Sequence, residues 1–376
     1  GMEEMKYMTN RSVIYATGLI ALALLACKKE ETGGAGAAAS AAPTTSASAA
    51  PKASFEELAA KSQPLVLTPV AQSVGGKKVE AVQCKLPGAG LLAPSSSSVI
   101  RAIESVGDRM LIADHDGVIH GFKVSTAAGC ELSVDASFGD GGKMKLPNKI
   151  EHLSKSSAGL VMAASGIFDT YAIVDGKKLF DCKATGHFEV EPGGKWGIAP
   201  WVNSTVEIAD LSSDSCQRKD WVLQNLSDDA KRKGAFKMVN TSAVIGGKIF
   251  IGGIPAEKVD GREVRIVAIF DKAGKELGRF GSTGKDFGDD SFGWVHGLSA
   301  CGPNVCAIDS NFRRLSVWSL DGKKFIGAVS LTKLFGAASG AAWINDISQA
   351  KDGSIWLSLG QNRAGGGVAE GAVFRV

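Results

Sequence analysis

The sequence lacks the patterns that mark the common catalytic and cofactor-binding proteins. It contains no Gly-x-Ser-x-Gly nucleophile elbow, no Ser-His-Asp order and no Gly-rich dinucleotide fingerprint. The segment Gly281-Ser282-Thr283-Gly284-Lys285 misses the first glycine of a phosphate loop, and an aspartate follows its lysine. The net charge of +3 is spread without a basic stripe, which argues against nucleic acid as a partner. No motif therefore assigns a reaction.

Cysteine is scarce, and its spacing excludes the usual metal and redox motifs. The seven cysteines form no Cys-x-x-Cys pair and no group with histidine at zinc spacing. Cys27 belongs to an N-terminal motif described below, and six other cysteines remain. An even number of cysteines in an exported chain favours disulfides over metal ligands or catalytic thiols. These six are Cys84, Cys130, Cys182, Cys216, Cys301 and Cys306.

A long transmembrane run is also missing. The apolar stretch from Val13 to Ala26 is shorter than the roughly 20 residues that a spanning helix requires. Lys6 and Arg11 precede it, and basic residues followed by an apolar core and a small residue are typical of a secretory signal peptide. The ending Leu24-Leu25-Ala26-Cys27 resembles the bacterial lipobox. That resemblance implies a signal peptide over residues 1–27 and lipid attachment at Cys27.

The segment after Cys27 contains almost no side chains large enough to form a hydrophobic core. Lys28 and three further charged residues are followed by a tract of Gly, Ala, Ser, Thr and Pro that runs to about Ala53. Such a tract cannot offset its own ordering entropy, so we predict a disordered tether over residues 28–62. Because Lys28 stands where an aspartate would favour inner-membrane retention, the lipobox resemblance implies the outer membrane, on its periplasmic face or at the cell surface. Residues 63–376 remain for a folded domain.

Glycine, by contrast, is abundant, with 47 residues, and much of it recurs at turns. Gly-Lys-Lys or Gly-Lys-Glu turns begin at positions 76, 176, 274 and 322, and two related turns lie at 129 and 215. The spacing between them is close to the blade period of about 40–50 residues in β-propellers. The pattern predicts an all-β chain folded as a six-bladed β-propeller with four-stranded antiparallel blades.

The block from Gly278 to Val329 contains one repeat in full. Asn304–Asp309 and Leu315–Trp318 are predicted as its second and third strands, joined by the turn Ser310-Asn311-Phe312-Arg313-Arg314. This arrangement resembles the NHL-type propeller repeat, in which a Gly-rich entry leads to a turn with Asp, Asn and Arg and then to a Gly-Lys turn. Leu111-Ile112-Ala113-Asp114 begins a weaker copy in the first blade. The resemblance implies the fold and leaves the activity open, since propellers host unrelated functions.

The chain ends before its last blade is complete. The final repeat, Trp343 to Val376, supplies three strands, and Gly76 to Lys85 is a strand without a blade of its own. We predict that this N-terminal strand closes the ring as the outer strand of the last blade, which removes unpaired sheet edges. The repeat also predicts the disulfides: Cys84–Cys130 and Cys182–Cys216 between outer strands of neighbouring blades, and Cys301–Cys306 within one hairpin.

Polar residues occupy the entry end of all six innermost strands. In a propeller these strands line the central channel, so their entry residues surround one mouth of it. A ring of carboxylates, amides and an imidazole suits a cation or a polar ligand, and a solvated lining without a ligand is the alternative. The candidate residues are Arg101, Glu151, Glu189, Asn240, His296 and Asn345, with Asp346 beside the last.

The residues of this ring resemble the metal sites of two enzyme families. The peptidyl-amidoglycolate lyases are NHL-type enzymes that hold zinc with three histidines. Val295-His296-Gly297 resembles one such histidine context, whereas His152 and His187 lie out of register. The gluconolactonase-like enzymes hold a divalent metal with Glu, Asn, Asn and Asp. Those residue types are present in the ring, but the Glu-Gly-Pro entry of that family is missing.

The function that we expect is a non-catalytic binding or scaffolding propeller of the bacterial envelope, with no catalytic residue and no cofactor. The alternative is a metal-dependent hydrolase, lactonase or lyase with calcium or zinc at the channel mouth. The expected partners are the membrane, through the lipid on Cys27, and a protein or a small polar ligand. Nucleic acid is not expected as a partner, and the chain is expected to be a monomer.

Overall fold

The computed structural model describes residues 71–88, 91–92, 100–127, 129–166, 169–183, 187–200, 206–213, 215–221, 236–259, 261–281, 290–330, 333–334, 342–361 and 370–376. The predicted signal peptide, Cys27 and the tether over 28–62 lie outside these ranges. Within them the chain forms 27 strands, numbered β1 to β27 in chain order. No helix in the described ranges has the length and apolar character needed to cross a membrane.

The first three blades follow one another along the chain. Blade 1 consists of β4 (Ile100–Val106), β5 (Arg109–Asp114), β6 (Val118–Ser125) and β7 (Glu131–Val134), with β8 (Lys143–Lys145) as a second partner of β6. Blade 2 consists of β9 (Ile150–Lys155), β10 (Val161–Ser165), β11 (Asp169–Val174) and β12 (Lys177–Lys183). Blade 3 consists of β13 (Glu189–Val190), β14 (Trp196–Pro200), β15 (Val206–Asp210) and β16 (Gln217–Trp221).

The last three blades include the N-terminal strand. Blade 4 consists of β17 (Phe236–Ile245), β18 (Lys248–Pro255), β19 (Ile266–Phe270) and β20 (Glu276–Gly281). Blade 5 consists of β21 (Val295–Cys301), β22 (Asn304–Asp309), β23 (Arg314–Ser319) and β24 (Phe325–Ser330). Blade 6 consists of β25 (Ala342–Gln349), β26 (Ile355–Gln361), β27 (Glu370–Arg375) and β3 (Val82–Gln83). A separate hairpin pairs β1 (Gln72–Val74) with β2 (Lys77–Val79).

The six blades form a closed ring, which confirms the predicted six-bladed β-propeller. All strand pairs within the blades are antiparallel. The first strand of each blade is innermost, and each inner strand contacts the inner strand of the next blade around the ring. The turns between first and second strands therefore share one face of the ring, the exit face. The opposite face, where the inner strands begin, is the entry face.

The core lies between blades because each blade packs its two faces against its neighbours. The second strands are therefore buried on both sides, as in β5 and β22, where every residue after the first is buried. Between blades 4 and 5 the rings of Phe280 and Trp318 lie 4.8 Å apart, and those of Phe280 and Phe292 lie 6.1 Å apart. Each large apolar side chain buried in this way stabilises the fold by about 1.5–3 kcal/mol.

The ring closes through the N-terminal strand, as predicted. Val82 of β3 pairs with Arg375 of β27. Two residues later the chain leaves blade 6, and the N–H of Lys85 donates to the carbonyl of Cys130 at 2.9 Å. The segment after β3 is thus bonded to the outer edge of blade 1 as well as to blade 6. The two pairs of β3 with Phe374 and Arg375 thus cover part of the outer edge of β27.

One predicted turn was misassigned. The turns near positions 129, 176, 215, 274 and 322 all join the third and fourth strands of a blade. The turn at Gly76 instead belongs to the β1–β2 hairpin, which packs against β24 of blade 5, with the Gln72 side chain donating to the Ser330 carbonyl at 3.0 Å. The reason is chain order: the third strand of blade 6 is the C-terminal strand, so no continuous turn joins it to β3.

The three predicted disulfides are present. Cys84–Cys130 links the outer strands of blades 6 and 1 across the closure, with Cα atoms 4.4 Å apart. Cys182–Cys216 makes the equivalent link between blades 2 and 3, with a Cα distance of 5.2 Å. Cys301–Cys306 bridges the β21–β22 hairpin, at 5.7 Å. Two links therefore join neighbouring blades, and one lies within a blade.

Asp309, beside the β22–β23 turn, ties two parts of blade 5 together. The carboxylate of Asp309 accepts the N–H groups of Gly293 at 3.0 Å and Phe312 at 3.1 Å. The Asn311 amide donates to the Gly293 carbonyl at 3.2 Å. These bonds join the entry of β21 to the β22–β23 turn. The turn residues therefore have a structural role at the entry face.

We expect the closure disulfide to contribute more stability than the hairpin disulfide. Cys84 and Cys130 are 46 residues apart, whereas Cys301 and Cys306 are 5 apart. Chain entropy assigns about 4 kcal/mol to the longer loop and about 2 kcal/mol to the shorter one. Cys84→Ser/Cys130→Ser should therefore lower the Tm clearly further than the matched Cys301→Ser/Cys306→Ser variant, measured by circular dichroism. Equal shifts would contradict this account of the closure.

Candidate ligand site in the central channel

Five of the seven candidate residues occupy the same structural position, a β-bulge in the inner strand. In blades 1, 2, 4, 5 and 6 the pairing register between the first and second strands shifts by one residue near the entry end. A bulge leaves one residue without a cross-strand partner and turns its side chain away from the ladder. The bulge residues are Arg101, Glu151, Asn240, His296 and Asn345. The prediction that these positions are equivalent is confirmed.

Glu189 was predicted at the entry end of its inner strand, and this prediction is wrong. The residue lies three positions deeper in the channel than the bulge residues of the other blades. Ser154 of blade 2 accepts the N–H of Val190 at 3.2 Å, and Ser348 of blade 6 accepts the N–H of Ser105 at 3.0 Å. Val190 is therefore equivalent to Ser105, and Glu189 to Glu104. The misplacement comes from the first turn of blade 3, which is longer than the two-residue turn of blade 1, so counting back from the second strand stops too early.

The Glu151 carboxylate is fully engaged at the entry mouth. Its oxygens lie 2.5 Å from Arg101 Nη2 and 2.8 Å from Lys149 Nζ. Burial alone would raise the pKa of Glu151, but the charge of Arg101 and the contact with Lys149 lower it below its usual value. Two cations thus surround one carboxylate. The Arg101–Glu151–Lys149 group carries a net positive charge.

Asn345 and Asp346 bond to the neighbouring blade. The Asn345 amide donates to the carbonyl of Ile100 at 2.8 Å, and one Asp346 oxygen accepts the N–H of Ile103 at 2.9 Å. Both partners are backbone groups of β4, the inner strand of blade 1. Burial raises the pKa of Asp346 to about 7, although nearby His152 and two backbone N–H groups favour its ionised form.

Below the entry mouth, two histidines and Glu189 form a buried cluster. His152 Nε2 lies 2.6 Å from Glu189 Oε1, and the rings of His152 and His187 are 4.9 Å apart. Burial would lower the pKa of His152, but the Glu189 carboxylate raises it to about 9. For Glu189, burial raises the pKa of the carboxyl group, and the charge of His152 opposes this rise. His187 is the neutral member, since burial and the charge of His152 lower its pKa well below 6.5.

A second ion pair in the channel wall joins blades 2 and 1, with Glu104 at the depth that Glu189 has in blade 3. Lys155 Nζ lies 3.0 Å from Glu104 Oε1 and donates to the carbonyls of Ser105 and Gln349, each at 2.5 Å. The hydroxyl of Ser348 also donates to Glu104. Lys155 of blade 2 therefore binds blades 1 and 6 together. Sequence reasoning missed this pair, although two charged residues within largely buried inner strands were a usable signal.

His296 and Asn240 also lie at the mouth. The His296 side chain keeps solvent access from the channel, and its ring donates to the Asn345 backbone carbonyl. Desolvation by the surrounding channel wall, and then the charges of Arg101 and His152, lower the pKa of His296. The Nδ2 atom of Asn240 and the Nε atom of Arg101 are buried donors with no hydrogen-bond partner among the described residues. A donor left in this state costs about 1–3 kcal/mol.

The exit face carries a separate cavity of about 660 Å³ between blades 1, 2 and 6. This volume is in the range of small-molecule sites. Lys155 lines its inner end, and Arg109, paired with Asp175 at 2.9 Å, lines its outer end. None of the seven candidate residues lines this cavity. In the described ranges, no three His, Cys, Asp or Glu residues are arranged to hold a metal ion.

Asp346 and His152 predict two pH windows for stability. Each of these two groups binds a proton more tightly in the folded state, so each contributes stability at low pH that is lost as the pH rises. For Asp346 the loss runs from about 3.8 to about 7, and for His152 from about 6.5 to about 9. Asp346→Asn should flatten the fall in Tm over the lower window, and His152→Gln over the upper one. Each variant is the control for the other, and unchanged profiles in both would refute the assignment.

The comparisons with known proteins concern the fold alone. No family model matches the sequence, and no curated protein matches it. Among solved structures, the chain is similar to the WD40 β-propeller domain of Doa1, at 12% identity and a TM-score of 0.44, over 73% of this chain and 78% of that one. It is also similar to the β-propeller domain of Myceliophteria thermophila Cps50 (Swd1), at 14% identity and a TM-score of 0.45, over 74% and 96% of the two chains. At these identities and TM-scores, the similarity does not indicate a shared function.

Proposed function

We propose that this protein is a lipid-anchored, non-catalytic binding propeller of the bacterial envelope, with its binding site at the entry mouth of the channel. The observation that carries this proposal is the pairing of the channel's charged groups. Glu151 is held by Arg101 and Lys149, Glu189 contacts His152, and Glu104 contacts Lys155. Carboxylates that are neutralised by fixed cations are poor ligands for a divalent ion, because the cations compete for the same oxygens.

The ion pairs also rigidify the site. Arg101–Glu151 joins blades 1 and 2, His152–Glu189 joins blades 2 and 3, and Lys155 reaches blades 1 and 6. A channel wall fixed on four blades presents its remaining polar atoms in constant positions. Preorganisation of this kind favours binding, since little side-chain freedom is lost when a ligand docks. The NHL-type repeat, whose Asp309 ties the entry face together, is consistent with the same use of that face.

Export and anchoring are supported by the N-terminal sequence and by the disulfides. Leu24-Leu25-Ala26-Cys27 has the lipobox pattern, and Lys28 follows it. The three disulfides are typical of proteins that fold in an oxidising compartment. The tether predicted over 28–62 would have a root-mean-square reach of roughly 30–35 Å if it behaves as a flexible chain. Such a reach would allow the propeller to stand clear of the membrane surface.

The binding function is tested against the metalloenzyme by titration with calcium and with zinc. We expect no saturable heat in calorimetry for the wild type or for Glu151→Gln/Glu189→Gln, because both carboxylates already have cationic partners. Saturable binding to the wild type that the double variant loses would overturn the proposal and favour a metal-dependent lactonase or lyase.

The anchor is tested separately. Cys27 is the acyl acceptor of the lipobox pattern, so we expect Cys27→Ser to yield an unlipidated precursor or a soluble protein. Partitioning of the full chain in a detergent two-phase system measures this directly, with Cys301→Ser/Cys306→Ser as a control that leaves the N-terminus unchanged. Equal partitioning of Cys27→Ser and wild type into the detergent phase would refute the anchor.

A further inference from the structure

We propose that the exit-face cavity binds one apolar, uncharged residue of an extended peptide. The cavity lies between blades 1, 2 and 6, and its volume of about 660 Å³ is large enough for such a ligand. This site is separate from the entry mouth, so it goes beyond the function proposed above and does not depend on it. The cavity has an apolar lining, a hydrogen-bond donor beside an acceptor at its outer end, and charges that balance.

Apolar side chains line the cavity where the core between blades 1 and 2 reaches the exit face. Val106 at the end of β4 and Val174 at the end of β11 are half-buried, so each keeps surface that a ligand can cover. The buried side chains of Leu111 and Ile173 continue this lining into the core between the two blades. An apolar group that enters the cavity therefore leaves water for an apolar surface, which favours binding.

Glycines keep the rim of the cavity open. Gly107, Gly159 and Gly353 belong to the turns between the first and second strands of blades 1, 2 and 6, and all three line the cavity. Their φ angles are 61°, 89° and 85°, and a Cβ atom at any of the three would meet nothing within 4 Å. These turns surround the opening without side chains across it. The residues that flank a bound peptide residue therefore have room to leave the cavity.

Arg109 and Asp175 place a donor beside an acceptor at the outer end. Arg109 Nη1 lies 2.9 Å from Asp175 Oδ1, and the two side chains are 19% and 70% exposed. Arg109 also donates to Asp135 at 2.7 Å and to Ser137 at 3.2 Å. These three bonds leave two of its five N–H groups for a ligand carbonyl, and the second oxygen of Asp175 can accept a ligand N–H. A residue in extended conformation presents its own N–H and C=O groups to the same side, as in a sheet.

Contacts between blades 1 and 2 hold this donor and acceptor in place. The Gly139 N–H of blade 1 donates to the Asp175 carbonyl of blade 2 at 3.0 Å. The two backbones are so close that a Cβ atom on Gly176 would lie 2.3 Å from the Gly139 nitrogen. The guanidinium of Arg109 lies over the Phe138 ring, 5.4 Å from its centroid. Because the site is already ordered, a ligand loses little affinity in fixing it.

The charges around the cavity balance. Lys155 Nζ lies 3.0 Å from Glu104, and its other two N–H groups donate to backbone carbonyls. The charge of Arg109 is shared by two carboxylates. The cations that line the cavity are Arg109, Lys155 and Lys351, and the carboxylates of and behind the lining are Glu104, Asp135 and Asp175. A ligand with a net charge would lose its hydration without gaining a counter-ion, so an uncharged residue is favoured.

The test is calorimetric titration of the full chain with blocked tripeptides that differ only in the central residue. The probe is N-acetyl-Ala-Phe-Ala-amide, and the matched probes carry Gly, Glu or Lys in place of Phe. We expect saturable binding of the Phe peptide and binding at least tenfold weaker for each of the other three. The Gly peptide tests the apolar lining, and the Glu and Lys peptides test the balance of charge.

A variant that blocks the cavity gives the decisive result. Ala158 is exposed on the β9–β10 turn and lines the cavity, so Ala158→Trp fills space without changing the core. It should weaken binding of the Phe peptide by about tenfold or more. Ala273→Trp makes the same change on the exposed β19–β20 turn of blade 4 and should leave the affinity unchanged. Equal melting temperatures of the two variants would exclude misfolding as the cause.

The hydrogen-bonding end is tested with a second pair of variants. Arg109→Gln should weaken binding of the Phe peptide by about threefold to tenfold, the range expected for one hydrogen bond. The matched variant is Arg279→Gln, which removes a guanidinium paired with Glu276 on the outer strand of blade 4. This variant should bind the peptide as the wild type does.

Absence of binding of the Phe peptide to the wild type would overturn the proposed site. Equal affinity of the wild type and Ala158→Trp, or binding of the Glu or Lys peptide as tight as that of the Phe peptide, would also overturn it. The function proposed for the entry mouth is unaffected by these results, because titration of Glu151→Gln/Glu189→Gln with calcium and zinc tests that mouth separately.

Discussion

The architecture depends on how each inner strand satisfies its free edge. The first strand of a blade pairs on one side with the second strand and faces the channel on the other, so its remaining N–H and C=O groups need partners. Side chains from the preceding blade supply them. Asp346 and Ser348 accept N–H groups of β4, and Ser154 accepts the N–H of Val190 in β13. The blades are therefore joined by polar bonds at the axis and by apolar packing further out.

This arrangement explains why the channel is lined with ionisable groups. A short side chain such as serine satisfies the neighbouring edge and leaves room beside it, and longer side chains fill that room. Glu104 and Glu189 hold the position that serine holds in blades 2 and 6, and each of them contacts a cation from blade 2. Because Glu104, Glu151 and Glu189 each have a cationic partner, these carboxylates avoid the large penalty of an isolated buried charge. Among the described residues, buried donors without a hydrogen-bond partner include Arg101 Nε and Asn240 Nδ2 near the mouth.

Most of the fold was predictable from the sequence, because turn glycines and paired cysteines recur with the blade period. Entry positions in blades whose first turn is tight, such as Arg101, Asn240 and His296, were also found by counting. Counting failed at Glu189, because the length of a turn is set by local hydrogen bonds that the apolar pattern does not encode. The partner of a charged residue was not predictable either. Nothing in the sequence near Lys155 indicates that its ammonium group reaches across to blade 6.

The closure also determines how the domain responds to a pulling force. A chain held by its N-terminus transmits tension through the β1–β2 hairpin into β3, the outermost strand of blade 6. Its short pairing with β27 would unzip one bond at a time under such tension. Cys84 is joined covalently to Cys130, so unpairing that begins at Val82 stops at Cys84, where the force passes into blade 1. The disulfide thus acts as a mechanical stop, which limits how far a force applied on the N-terminal side of β3 can separate the chain from the ring.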